Sequence, residues 1–326
     1  MAEMTPERIA AQREASEKTK WERQRIEYYL SLRYDFDPCD VDFWLETLYK
    51  QQQEVYKPQK DPSWNLVRKE AGIGFFENVF SFLSKEKKKS IDTKKAAAKE
   101  VLQKEVDSYN AAEKERCIKN NSLLANKLKA KHDRLIAHDP TEVESYFTFA
   151  LKQDTFLLDG NDYPIDFNLL YDSVNGQLII DYKLPVMNQV SRVKEWKIDK
   201  NNDIVPKEMN KTDYLDMYER ILFDLSVRTV GILFESDSSN VLSSIVFNGS
   251  CVYSDWQNMP TVLLSFTMPK SRYSYDKARK MDYISKSEIG KLDEVRYLDD
   301  IHSQKAPADL WETPPIKPVF PIRSSF

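Results

Sequence analysis

Three residues of this chain have types and spacing that could support metal-dependent hydrolysis of a phosphodiester. The segment PID, which ends at Asp166, precedes the segment DYK, which runs from Asp181 to Lys183. Two carboxylates on neighbouring strands can bind Mg²⁺, and a nearby lysine can polarise the attacking water or the phosphate. Asp166, Asp181 and Lys183 are therefore the candidate catalytic set, and Mg²⁺ is the cofactor that this set alone implies.

A β-hairpin is predicted to position this set. Apolar and polar residues alternate on both sides of Asn175-Gly176, a dipeptide that favours a two-residue type I′ turn. Such a turn would pair Asn168 with Lys183 and place the candidate set on the polar face of the hairpin. The polar face of any half-buried hairpin has a similar composition. We therefore favour a solvated, non-catalytic face and keep catalysis as the alternative.

The surrounding pattern predicts an α+β fold, with long N-terminal helices followed by a mixed, mainly antiparallel sheet packed with helices. Thr5-Pro6 and Asp37-Pro38 have the form of helix starts, and a capping box at Thr141 predicts another. Further helices are predicted at about 90–136, 141–152, 212–235 and 273–281. Strands beyond the hairpin are predicted at about 192–198, 243–253 and 261–268.

Composition divides the chain into three parts. We predict a charged helical region over residues 1–138, an α+β domain over 139–300 and a proline-rich extended tail over 301–326. Trp311 and Phe320 are the candidate anchors by which the tail would contact its own domain or a partner.

Several classes of protein are disfavoured by the composition. The three cysteines are far apart and form no CxxC pair, which favours a reducing cytosol over a disulfide framework or a structural zinc site. No run of about 18 apolar residues exists, so no transmembrane segment is expected. The chain has only 7 glycines and no phosphate-binding loop motif. We therefore expect a cytoplasmic protein.

A hydrophobic and basic segment, GFFENVFSFLSKEKKK, is the candidate partner-binding surface. Its candidate contact residues are Phe75, Phe76, Phe80, Lys87, Lys88 and Lys89. It could lie on an anionic membrane surface, although a helix docked on the core explains the same pattern. Residues 85–134 contain 15 Lys/Arg against 8 Asp/Glu. This excess could contact phosphates, and a solvated helix face is the more common explanation.

Several segments together resemble the region upstream of the catalytic domain in Mrr-like bacterial restriction endonucleases. The resemblance covers residues 73–299 and is carried by NNSLLANKLKAKHDRLIAHDPTEVESYFTFALKQD, LIIDYKLP, RVKEWKI, LSVRTVGILFESD and IVFNG. In those proteins, the segment resembling SEIGKLDEVRYLDDI leads into a separate nuclease domain. Here the proline-rich segment follows it, so the nuclease residues of the family have no matching positions.

The resemblance implies a module of a bacterial restriction or phage-defence system rather than a nuclease. We therefore expect a non-enzymatic accessory or scaffold protein that associates with DNA, a protein partner or a second copy of itself. The alternative is a metal-dependent nuclease of the PD-(D/E)xK type that uses Asp166, Asp181 and Lys183. The sequence leaves enzymatic activity uncertain and leans against it.

Overall fold

The computed structural model describes residues 5–32, 36–74, 85–251, 261–273 and 296–297. Some predicted features lie outside these ranges, namely most of the helix near 273–281, the tail, and Phe75, Phe76, Phe80, Trp311 and Phe320. Within the described ranges, the predicted α+β class is confirmed, with helices leading into a mixed sheet. None of the helices in these ranges is both long and apolar enough to cross a membrane.

The chain divides into two compact units. The first unit comprises Met1–Trp44 and Lys131–Phe326, and the second comprises Leu45–Ala130. The prediction had instead placed a boundary at residue 138 and assigned the first residues to a separate helical region. The structural division differs because the first helix packs on a β-hairpin of the α+β part, as described below.

Six helices of at least seven residues lie in the described ranges. They are α1 (Pro6–Tyr29), α2 (Val41–Gln52), α3 (Trp64–Glu70), α4 (Lys85–Ile136), α5 (Pro140–Gln153) and α6 (Lys211–Glu235). The predicted start of α1 is confirmed, because the Thr5 hydroxyl accepts a hydrogen bond from the N–H of Arg8 and proline follows the cap.

At two other helix starts, the residue that caps the helix differs from the predicted signal. The carboxylate of Asp40, rather than Asp37, accepts from the N–H of Phe43 at 2.6 Å, so α2 begins three residues after Pro38, at Val41. Asp139, rather than Thr141, caps α5. In each case, several residues within one turn have side chains that could cap the helix. The direction in which the chain enters the helix decides which of these side chains reaches the free N–H groups of the first turn.

The main sheet has five strands in the order β3-β4-β7-β8-β9. These are Phe167–Asp172, Gln177–Lys183, Ser244–Cys251, Thr261–Pro269 and Arg296–Tyr297. Strands β4 and β7 are parallel, and the other neighbours are antiparallel. A parallel pair requires a long connection, and α6 lies within it. Helix α5 packs on β3 and α6, and α6 packs on β7.

Two small hairpins accompany this sheet. One joins β1 (Leu157–Leu158) to β2 (Asn161–Asp162), and the other joins β5 (Val193–Ile198) to β6 (Ile204–Glu208). The strand predicted at 192–198 is therefore present as β5, but it pairs with β6, which the alternation did not predict. Residues 204–208 have the sequence IVPKE. Its proline and its exposed charged residues are not typical of a strand within a sheet, although an edge strand tolerates them, so the pattern did not predict this strand.

Helix α1 is fastened to this second hairpin by buried polar contacts. The Thr19 hydroxyl accepts from the N–H of Trp196 at 2.9 Å, and the Trp196 indole N–H donates to Glu22 at 3.1 Å. Arg25 is buried, and it donates to Glu22 at 2.8 Å and to the carbonyl oxygen of Val193 at 2.9 Å. A buried arginine needs such partners, so α1 belongs to the α+β unit.

The turn of the β3–β4 hairpin has four residues rather than two. Asp172 pairs with Gln177, and its carboxylate accepts from the N–H of Val174 at 3.0 Å. Gly176 has a φ of 61°, and a Cβ there would lie 2.7 Å from Oγ of Ser243. The predicted two-residue turn is wrong because Asp172 organises the loop through its own side chain.

Candidate functional site

The register of the hairpin places the candidate catalytic residues on one face of the sheet. Asp181 lies opposite Asn168, and the N–H of Lys183 donates to the carbonyl oxygen of Asp166 at 2.9 Å. This differs by two residues from the predicted register, in which Asn168 lay opposite Lys183. A shift of two preserves which face each side chain occupies, so the predicted shared face is confirmed.

Asp166 and Lys183 form an ion pair at the protein surface. The Nζ atom of Lys183 lies 3.4 Å from Oδ2 of Asp166, and the two side chains are 43% and 55% exposed respectively. A pair this open to water contributes little to stability. It leaves both groups accessible to a solute, so these two residues match the solvated face that we favoured.

Asp181 has a different environment and is only 5% exposed. Its Oδ1 atom accepts a hydrogen bond from Nδ2 of Asn248 at 2.8 Å, and Oδ1 of Asn248 accepts from Oγ of Ser265 at 2.8 Å. Asn248 and Ser265 are fully buried. The prediction of a solvated face is therefore wrong for Asp181, which begins a buried polar row.

This polar row crosses three neighbouring strands. Asp181 of β4 pairs with Asn248 of β7, and Asn248 pairs with Ser265 of β8. Our sequence interpretation missed Asn248 and Ser265. The signal available was a polar residue inside each largely apolar strand, Asn248 in IVFNG and Ser265 in LLSFT. That signal becomes specific only when the strand pairing is known.

The residue between Asp181 and Lys183 faces the opposite way. Tyr182 points to the other side of β4, where it is 2% exposed and its ring centroid lies 5.7 Å from that of Phe247. Burial raises the pKa of the Tyr182 phenol, so it remains neutral. It therefore supports the core beneath the polar row and carries no charge to the face with Asp181.

No family model, curated protein or solved structure matches this chain. Its chemistry is therefore inferred from the geometry of its own residues.

The carboxylates of Asp166 and Asp181 are the type of ligand that Mg²⁺ prefers. In the structure, however, Asp166 is paired with Lys183 at the surface, and Asp181 is held by the Asn248 amide in the interior. No group of three or more His, Cys, Asp or Glu residues is placed to hold a metal within the described ranges. The donor set therefore does not fit a metal ion in this arrangement.

A cavity of about 550 Å³ lies elsewhere in the first unit. Its lining includes the aromatic residue Phe36, the acidic residues Asp37, Asp40 and Asp154, and the basic residue Arg228. None of the predicted site residues within the described ranges lines it. The cavity therefore does not serve the candidate catalytic set.

The second candidate surface is the basic first part of α4, whose exposed lysines we call the basic tract. It comprises the six residues Lys85, Lys87, Lys88, Lys89, Lys94 and Lys99, all of which are exposed. In the described part of the chain, none of these lysines forms an ion pair. Farther along α4, Lys104 pairs with Glu100 and Arg116 pairs with Glu113. The basic tract therefore presents six exposed positive charges without an ion-pair partner among the described residues.

Proposed function

We propose that the protein is a non-enzymatic accessory component of a restriction-like or phage-defence system and that it binds DNA through the basic tract of α4. The observation that supports the proposal is the set of six exposed lysines without an acidic partner among the described residues. The association with a defence system rests on the resemblance to the upstream region of Mrr-like endonucleases.

The arrangement of the tract suits a phosphate backbone. Lys85, Lys88 and Lys89 are three and four residues apart and share a helix face, and Lys99 returns to that face about four turns later. This face spans roughly 20 Å at 1.5 Å per residue, a length comparable to several base pairs. Lysines act as point charges and release counterions when they contact phosphates. We therefore expect binding that depends strongly on salt and weakly on sequence.

Binding to a fluorescent DNA duplex at several salt concentrations tests the proposal. The test variant carries Lys85→Glu, Lys88→Glu and Lys89→Glu. We expect the slope of log K against log salt to become shallower by about one per lysine that contacts a phosphate. The control variant reverses three lysines that have acidic partners, namely Lys50, Lys104 and Lys207.

Two outcomes would overturn DNA binding by the tract. One is the absence of binding to wild-type protein at low salt. The other is an equal loss of affinity in the test and control variants, because this would show that only net charge matters.

A metal-dependent nuclease that uses Asp166, Asp181 and Lys183 is the second candidate function. It is favoured by one observation, the sheet face that these three residues share, and it requires Asp166 to separate from Lys183 and Asp181 to separate from Asn248 before a metal ion can bind. Incubation of DNA with the purified protein and Mg²⁺ or Mn²⁺ tests it. Cleavage that is lost in Lys183→Ala and retained in Lys197→Ala would establish this function and overturn the non-enzymatic proposal.

A further inference from the structure

Two asparagines of α4 hold the backbone of an extended segment within the second unit. The N–H of Glu54 donates to Oδ1 of Asn121 at 2.8 Å, and Nδ2 of Asn121 donates to the carbonyl oxygen of Glu54 at 3.0 Å. Asn110 makes the same pair of hydrogen bonds with Gln59, at 2.7 and 3.1 Å. Each asparagine therefore satisfies both backbone groups of one residue, as a neighbouring β-strand would.

The spacing of the two asparagines matches an extended chain. Asn110 and Asn121 are three helical turns apart, which corresponds to roughly 16 Å along α4. Glu54 and Gln59 are separated by five residues, which also span roughly 16 Å in an extended conformation. The segment, which we call the strap (residues 54–59), therefore runs antiparallel to α4 with its backbone in register with the asparagines.

One side chain of the strap is recognised as well as its backbone. The carboxylate of Glu54 accepts from Nδ2 of Asn120 at 2.8 Å, and it lies 3.0 Å from the guanidinium of Arg116. Most other side chains of the strap meet water. Val55 is 68% exposed, Lys57, Pro58 and Gln59 are also exposed, and Tyr56 is half-buried. The contact between the strap and α4 is therefore mainly polar. It recognises the carboxylate of Glu54 and the backbone groups of Glu54 and Gln59.

We propose that Asn110, Arg116, Asn120 and Asn121 form a binding site for an extended peptide segment of a partner protein that carries one acidic residue, and that the strap fills this site within the chain. Contacts to backbone groups do not depend on the side chains that the segment carries, so a second segment can satisfy them equally well. Arg116 and Asn120 select an acidic residue at the position of Glu54. Since most side chains of the strap are exposed, a partner segment can displace it.

A labelled peptide with the sequence of residues 52–63, QQEVYKPQKDPS, tests the site in the full-length chain. The test variant, Glu54→Pro with Gln59→Pro, removes both N–H donors of the strap and leaves α4 intact. The control, Val55→Pro with Lys60→Pro, changes neighbouring amides that donate no hydrogen bond within the described residues. We expect the test variant to bind the peptide roughly tenfold or more tightly than the wild type or the control.

Adding Asn110→Ala and Asn121→Ala to the test variant should weaken binding of the peptide by roughly tenfold or more. Peptide binding that is unchanged by these substitutions, or that is no tighter in the folded test variant than in the wild type, would overturn the proposal. Hydrogen exchange of the wild type gives an independent measurement. Strap amides that exchange faster than those of residues 110–121 support displacement, and equal rates contradict it.

Discussion

Arg228 and Asp154 form a buried ion pair, in which Nε of Arg228 donates to Oδ2 of Asp154 at 2.9 Å. These side chains are only 5% and 11% exposed. Arg228 also donates to the carbonyl oxygen of Leu32 at 2.6 Å. The pair therefore connects α6 to the residue that ends α5 and to the chain that follows α1.

Removing one partner of this pair should destabilise the protein strongly. We expect Asp154→Ala to lower the free energy of unfolding by about 3–5 kcal/mol, because a buried guanidinium loses its carboxylate. Urea unfolding followed by circular dichroism measures this change. Glu46→Ala, which breaks an exposed pair with Lys50, is the control and should have little effect. A loss below about 1 kcal/mol for Asp154→Ala would show that the pair is not important for stability.

The polar row should respond to substitution differently from the surface ion pair on the same sheet face. Asn248→Leu removes the amide that donates to buried Asp181, and we expect a loss of about 2–3 kcal/mol in the free energy of unfolding. Lys183→Gln, at the exposed pair with Asp166, should change it by less than about 1 kcal/mol. Denaturant titration of both variants tests this order. Equal effects would mean that Asp181 is as solvated as Asp166.

The pH dependence of stability should contain a contribution from Glu142. Burial raises the pKa of its carboxyl, but hydrogen bonds from Lys131 and Arg134 outweigh burial, so the pKa lies below its ordinary value. The stabilisation is therefore complete above the ordinary pKa of about 4.3 and is lost as pH falls through the folded-state value. We expect Glu142→Gln to flatten the fall in stability below about pH 4.5.

Urea unfolding between pH 3 and pH 7 checks this expectation, with Glu46→Gln as a control at an exposed helix position. The control should follow the wild-type curve. Parallel curves for Glu142→Gln and the wild type would show that the contacts of Glu142 with Lys131 and Arg134 do not contribute to the pH dependence.

The thiol of Cys39 should be unreactive in the folded protein. Burial, with a smaller contribution from Asp40, raises its pKa to about 11. Only the thiolate is nucleophilic, and at pH 8 roughly one thiol in a thousand is ionised at that pKa. We expect a variant with Cys117→Ser and Cys251→Ser to react with a disulfide reagent much more slowly when folded than in urea. Equal rates would contradict the burial of Cys39.

Local features were predicted most successfully. The cap at Thr5 and the long α4 depend on residues within a few positions of one another, so the sequence contains the information that forms them. The hairpin was also predicted, but its register was not. Asp172 and Asn175 both favour turns, and the choice between two and four loop residues depends on how Asp172 bonds to the loop backbone.

Non-local pairing was not predictable from the same patterns. The alternation of β5 predicted a strand, yet nothing in residues 193–198 specified β6 as its partner or α1 as its support. Asn248 and Ser265 looked like isolated polar residues in apolar strands. Their relation to Asp181 depends on the parallel pairing of β4 with β7, which is separated from β4 by α6.

The sequence by itself determined the α+β class, most helices and strands, and the sheet face shared by Asp166, Asp181 and Lys183. It could do so because caps are local and side chains alternate along any strand. Only the tertiary structure decided that Asp166 meets water while Asp181 is buried. The two residues share a face. Asp181 lies on an interior strand and is covered by side chains that are distant in sequence, whereas Asp166 lies beside β3 at the edge of the sheet.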